Sequence, residues 1–124
     1  MGNLLKSAVS VLHITSSTQA EEFYCNRLGF KQNFAYRPFP GVDPCYMGLT
    51  REGVQLHLSS FSGDGVSGGV VVIYVEDVDA LYAEFATNNV PVAMKPTDQS
   101  WGMREMYVRD SDANSLRFVQ NIES

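Results

Sequence analysis

Two short stretches of this chain return about sixty positions later. Tyr46-Met47-Gly48 falls on Met106-Tyr107-Val108, and Leu56-His57-Leu58 falls on Leu116-Arg117-Phe118. Repetition at that period is what a duplicated supersecondary unit leaves behind. The 124 residues hold two such units, so the repeat restricts the fold to a pair of like modules. We expect one domain over 1–124, with module one at about 7–60, a linker at about 61–69 and module two at about 70–121.

The local signals within each unit have the same order. Residues 8–15 are β-branched and aliphatic and read as a strand. A helix follows, with Thr18 and Glu21 spaced as a capping box and Ala20, Phe23, Tyr24 and Leu28 on its buried stripe. Gly29 is placed to end it. Strands are expected at 30–36, 46–50 and 54–60, the last two joined by a tight turn at 51–53. Residues 61–69 contain four glycines and two serines and read as the linker. A strand at 70–75 then precedes a helix opened by Asp77, with Val78, Leu81 and Phe85 on one face. Further strands are expected at 91–94, 104–109 and 116–120, with a hairpin turn at 110–114. The fold class is therefore α+β, two βαβββ modules forming curved mixed sheets around a groove, helices on the outer face. In each module one sheet face takes the helix, which accounts for the alternation of Leu56 and Leu58 with His57 and of Leu116 and Phe118 with Arg117. The opposite faces are left to line the groove.

Charge narrows the partners. Nine Lys and Arg stand against fourteen Asp and Glu, a formal charge of −5. Nucleic acid and anionic membranes are not expected partners, because both require clustered basic surface. Cys25 and Cys45 form no metal-type spacing and read as reduced thiols. The longest apolar run, 70–75, has only a strand's length. No signal peptide is visible, and the Met-Gly start lacks the Ser or Thr that myristoylation wants at Lys6, so a cytoplasmic location is expected.

The order and spacing of several stretches carry a resemblance. They are Ser7-Ala8-Val9 with Val11-Leu12, Glu22-Phe23, Arg27-Leu28-Gly29-Phe30, Phe34, and Phe39 with Gly41-Val42. Leu81-Tyr82-Ala83-Glu84, Trp101-Gly102, Arg104-Glu105, Arg109-Asp110 and Asn114 continue the series. Together the chain resembles the vicinal oxygen chelate superfamily, which includes glyoxalase I, extradiol dioxygenases and the fosfomycin and bleomycin resistance proteins. It is most similar to the bleomycin resistance type.

Metal-dependent members of that superfamily hold a divalent ion with four inward-facing His or Glu side chains. Carried onto this chain, those positions fall on Val9, His57, Val70 and Arg117. Valine has no donor atom and a guanidinium repels a cation. The resemblance therefore implies no metal, no cofactor and no catalytic residue, and a protein that sequesters a small molecule as in antibiotic resistance. It also implies a homodimer that exchanges an N-terminal strand and builds ligand grooves at the subunit boundary. The alternative is a glyoxalase- or lyase-like or dioxygenase-like enzyme with displaced ligands, using His57 and Glu105.

Phe34, Phe39 and Trp101 match the aromatic positions of such a groove, where flat rings stack on a planar ligand. Tyr46 and Tyr107 are read as polar anchors, and Met47, Met94, Met103 and Met106 as either adaptable lining or core filler. His57 and Arg117 face the groove, with a hydrogen-bonded structural role as the other reading of His57. Bleomycin-binding members carry acidic residues between the two phenylalanines. Here residues 34–39 carry no carboxylate and one guanidinium, so a planar, neutral or weakly anionic ligand suits Arg37 and Arg117. Glu105 reads as a solvent-facing residue paired with Arg104 or Arg109. Glu76, Asp77 and Asp79 read as a helix-start charge arrangement.

Overall fold

The computed structural model describes residues 2–123. The chain runs β1 (Ser10–His13), α1 (Ser17–Glu21), a π-helical turn (Glu22–Arg27), β2 (Lys31–Tyr36), β3 (Tyr46–Arg51) and β4 (Val54–Ser59). After a segment without helix or strand it repeats the pattern as β5 (Val70–Tyr74), α2 (Val78–Thr87), β6 (Val92–Asp98), β7 (Met103–Arg109) and β8 (Ser115–Asn121). The strands form two four-stranded sheets of matching order, β1-β4-β3-β2 and β5-β8-β7-β6. In each, the first strand is parallel to the last and the remaining pairs are antiparallel. The α+β class and the tandem βαβββ units are as the repeat predicts. No helix among the described residues is long and apolar enough to cross a membrane.

Leu56, Leu58, Met47 and Leu49 bury one face of the first sheet together with Tyr24 and Leu28 of the helical segment. In the second, Phe85 of α2 meets Phe118 of β8 edge to face, with ring centroids 5.3 Å apart. One apolar core unites both halves. Polar bonds fasten the seam: Arg51 donates to both oxygens of Glu84 at 2.7 and 2.8 Å, and the Tyr24 hydroxyl donates to Asp110 at 2.8 Å. Asn114 Nδ2 donates to the carbonyl of His13 at 2.7 Å. These contacts come from helices, hairpin turns and strand ends, and leave the second face of each sheet out of the seam.

Four local expectations need correction. The first helix is capped by Ser16, whose hydroxyl accepts from the Gln19 N–H at 3.2 Å; Thr18 lies inside the helix. Ser16 and Gln19 have the same capping-box spacing as Thr18 and Glu21. The earlier frame wins because Ser17 is buried and accepts from Arg37 at 2.8 Å, while Glu21 accepts from the same guanidinium at 2.6 Å. The helix then widens, with Leu28 N–H donating to the Phe23 carbonyl five residues back. Gly29 ends it at φ +80°, and a Cβ there would press to 3.0 Å from an Arg51 nitrogen, so glycine is needed for conformation and for space.

Second, β6 continues to Asp98, through Pro96. Proline is tolerated because β6 is the sheet edge and its missing N–H faces no ladder partner. Third, Met47 and Met106 are fully buried core residues, whereas Met94 and Met103 are half-buried.

The fourth correction concerns the repeat itself. Thr50 pairs with Gln55 across four residues, of which Arg51 and Val54 also pair, while the corresponding pair Arg109 and Ser115 spans five, one residue more. The extra residue is absorbed in a turn where Ala113 takes φ +63°. The sixty-residue offset therefore holds for β4 and β8 but is 59 for β3 and β7: Gly48 pairs with His57 as Tyr107 pairs with Arg117. Tyr46 thus corresponds to Glu105, and Gly48 to Tyr107.

Candidate functional site

The uncovered face of the first sheet is centred on His57. It pairs with Val11 on one side and Gly48 on the other, and Gly48 pairs with Phe34. Strand alternation puts Tyr46 on the same face. Phe34 stacks on Tyr46 with centroids 6.2 Å apart and planes 11° apart, and meets His57 edge-on at 5.4 Å. The Tyr46 Oη lies 2.7 Å from His57 Nδ1. Burial, reinforced by the Asp64 charge, raises the Tyr46 pKa, so this group is a neutral phenol. Gly48 makes the arrangement possible, since a Cβ there would overlap the Phe34 ring.

The uncovered face of the second sheet is centred on Arg117, which pairs with Val72 and Tyr107. Its guanidinium carbon sits 4.9 Å from the centroid of the Tyr107 ring, a cation–π arrangement. Glu105, two residues before Tyr107, shares this face and is only 6% exposed. It accepts from the Tyr107 hydroxyl at 2.6 Å and from the Trp101 indole N–H at 2.8 Å. The hydrogen bond to Glu105, then burial and the Glu105 charge, raise the Tyr107 pKa against the opposing pull of Arg117. Trp101 is held by its nitrogen while 58% exposed, leaving much of the indole free.

The structure thus gathers Phe34, Tyr46 and His57 on one sheet and Tyr107 and Arg117 on the other, with Trp101 in the turn between β6 and β7 and tied to that sheet through Glu105. Met103 opens β7 opposite Asn121. Phe39 lies in the segment between β2 and β3, and no ring contact among the described residues joins it to Phe34 or Tyr46. Arg37 departs from expectation: it is turned to Ser17 and Glu21, in a polar cluster that also holds Asp43. Burial works against the Asp43 carboxylate, but hydrogen bonds from Ser60 and Ser17 and the charge of Arg37 hold its pKa below the usual value.

Glu105 is the second departure. It is buried rather than solvent-facing, and Arg104 pairs instead with Asp79 and Asp98 at 2.9 Å. The two-residue spacing to Tyr107 is the signal that puts Glu105 on the uncovered face. Concavities among the described residues include a cleft of about 460 Å³ between α2 and the Arg51 hairpin and a shallow one around 60–67. Neither includes His57, Tyr107 or Arg117.

Metal ligation does not fit these faces. The strand positions beside His57 and Arg117 are Val11 and Val72, continuing the Val9 and Val70 pattern, and His57 Nδ1 is engaged by Tyr46. Among the described residues no group of three or more His, Cys, Asp or Glu is gathered as an ion requires.

Comparison with known proteins gives a consistent picture. No curated protein sequence matches the chain significantly. Among solved structures, a bleomycin resistance determinant encoded on the transposon Tn5 superposes with a TM-score of 0.76 at 23% identity, covering 94% of this chain and 98% of its own. A member of the glyoxalase/bleomycin resistance protein/dioxygenase superfamily from Sphaerobacter thermophilus gives 0.75 at 21% identity, covering 95% and 99%. TnmS3, an antibiotic-binding protein from Streptomyces sp. CB03234, gives 0.71 at 22% identity, covering 96% and 99%. The family described as glyoxalase superfamily protein matches residues 2–124, essentially the full length, and the chain belongs to the glyoxalase superfamily.

Proposed function

We propose that this protein captures a planar aromatic small molecule, without a metal and without breaking a bond, in a groove that two copies of the chain complete. One observation carries the reading. Each sheet fills its helix-bearing face with core residues and leaves aromatic and aliphatic side chains on the other, including Phe34, Tyr36, Val72 and Tyr74, exposed in the single chain. Apolar and aromatic surface concentrated on two uncovered sheet faces marks a binding site.

Completion by a second copy follows from the same exposure. The segment 2–9 has no helix or strand, and its Leu4 and Leu5 are 97% and 91% exposed. An exchanged N-terminal arm covers them and brings the His57 face of one copy opposite the Arg117 face of the other. The antibiotic-binding and bleomycin-resistance neighbours support this class of role. The enzyme alternative has weaker support, since His57 is already engaged by Tyr46, and Glu105 by Trp101 and Tyr107.

Trp101 is the single tryptophan, which makes the test direct. Titration with a panel of planar aromatic antibiotics is expected to quench its emission saturably, at one ligand per groove. Sedimentation is expected to show a dimer that dissociates when Leu4 and Leu5 are both changed to Asp. A flat titration across the panel, or a concentration-independent monomer, overturns the reading.

A further inference from the structure

Four arginines in this protein are paired with carboxylates: Arg27 with Glu22, Arg37 with Glu21, Arg51 with Glu52 and Glu84, and Arg104 with Asp79 and Asp98. Neither Arg109 nor Arg117 has an ion pair among the described residues, but Arg109 is exposed to solvent and Arg117 is not. Arg117 is half-buried at the centre of its sheet face, and its Nε is buried without a hydrogen-bond partner. A desolvated donor left in this state is costly. In a chain with fourteen acidic residues, pairing it would have been easy.

Glu105 shares this face but, among the described residues, forms no ion pair with Arg117. Glu105 has one oxygen taken by Trp101 and the other by Tyr107. Tyr107 in turn lies under the guanidinium and supports it from the ring face. The result is a cation without an ion pair among the described residues, over a tyrosine that Glu105 links to the largely exposed indole of Trp101.

We infer that Arg117 reads a carboxylate on the captured molecule, so that the ligand class is an aromatic acid: its ring system meets Trp101 and its carboxylate meets the guanidinium. This rests on the proposed capture of a planar ligand and specifies its charge. A guanidinium never deprotonates in the working range and matches a carboxylate in plane, two donors to two acceptors. The flanking strand residue is Val72, which offers no competing polar group. Glu105 is a positioning residue here, holding Trp101 and Tyr107.

The test compares 2-naphthoate with 2-naphthamide by titration calorimetry on the whole protein. The two share a ring system and differ in charge. Naphthoate is expected to bind about tenfold more tightly or better, the usual advantage of a charge-assisted hydrogen bond over a neutral one. Arg117→Gln is expected to remove that preference, so that the two compounds bind the variant with equal affinity. Equal affinities in the unaltered protein, or a preference that survives Arg117→Gln, overturn the aromatic-acid assignment and leave planar capture standing. Failure of both compounds to bind overturns planar capture and the assignment with it. The comparison in the unaltered protein requires no variant to fold.

Discussion

The indole N–H of Trp101 donates to Glu105 at 2.8 Å, so the exposed aromatic on the second sheet is fixed by a buried carboxylate. Glu105→Ala removes the acceptor for Trp101 and for Tyr107 at once. The indole should then gain local motion, seen as a faster decay of its fluorescence anisotropy, and the protein should lose about 1–3 kcal/mol of stability in urea unfolding. Glu105→Gln keeps one good acceptor and should fall between. Unchanged anisotropy in both variants would mean the bond does not order the ring.

Gly48 and Phe34 form a second coupled pair. A methyl group at Gly48 would overlap the Phe34 ring, which lies across the strand between Tyr46 and His57. Gly48→Ala should cost about 1–3 kcal/mol, as overpacking does. Removing the ring as well, in the Gly48→Ala and Phe34→Ala double variant, should recover much of that loss relative to Phe34→Ala alone. Simple additivity in the double-mutant cycle would place the ring elsewhere in solution.

Alkaline stability should be set in large part by Tyr24. Burial, then the charge and hydrogen bond of Asp110, raise its pKa above the ordinary value of 10.0. A raised folded-state pKa means that the folded chain keeps its proton where the unfolded chain releases one. The stabilisation is complete below pH 10 and is lost as pH rises beyond it. Tyr46 and Tyr107 are shifted in the same direction and add to the same limb. Urea midpoints measured from pH 8 to 11 should therefore fall above pH 10, and Tyr24→Phe should flatten the fall while lowering the midpoint at neutral pH. An identical alkaline slope in that variant would remove Tyr24 from the account.

The sequence signals that proved sound were those in which a single period decides the outcome. Leu56 and Leu58 against His57, and Leu116 and Phe118 against Arg117, can face only one way in a strand with one buried side. Asp77 was legible as a cap for the second helix because the Ala80 N–H has no competing acceptor in sequence. The first helix carried two overlapping capping signals, and the choice between them depended on Arg37 and Asp43, residues about twenty positions distant.

Counting along an ungapped repeat failed at one point for a similar reason. The extra residue in the 110–114 turn shifts β7 by one position against β3, so tyrosine is aligned with the wrong residue while Leu56 with Leu116 and Leu58 with Phe118 remain in step on β4 and β8. A loop's length is free to change because it faces water; a strand's register is held by the core.

Alternation of apolar and polar residues, twice over, was enough by itself to determine two βαβββ modules and which face of each sheet is buried, because burial of a single face is a local demand on every strand. Tertiary structure alone decided the state of the charged groups. Arg37 looked free and is tied to Glu21, Glu105 looked solvent-facing and is buried between Trp101 and Tyr107, and Arg117 lies over Tyr107 without an ion pair among the described residues. Which charges meet depends on where long side chains converge in space, and the periodicity that sets the strands does not encode it.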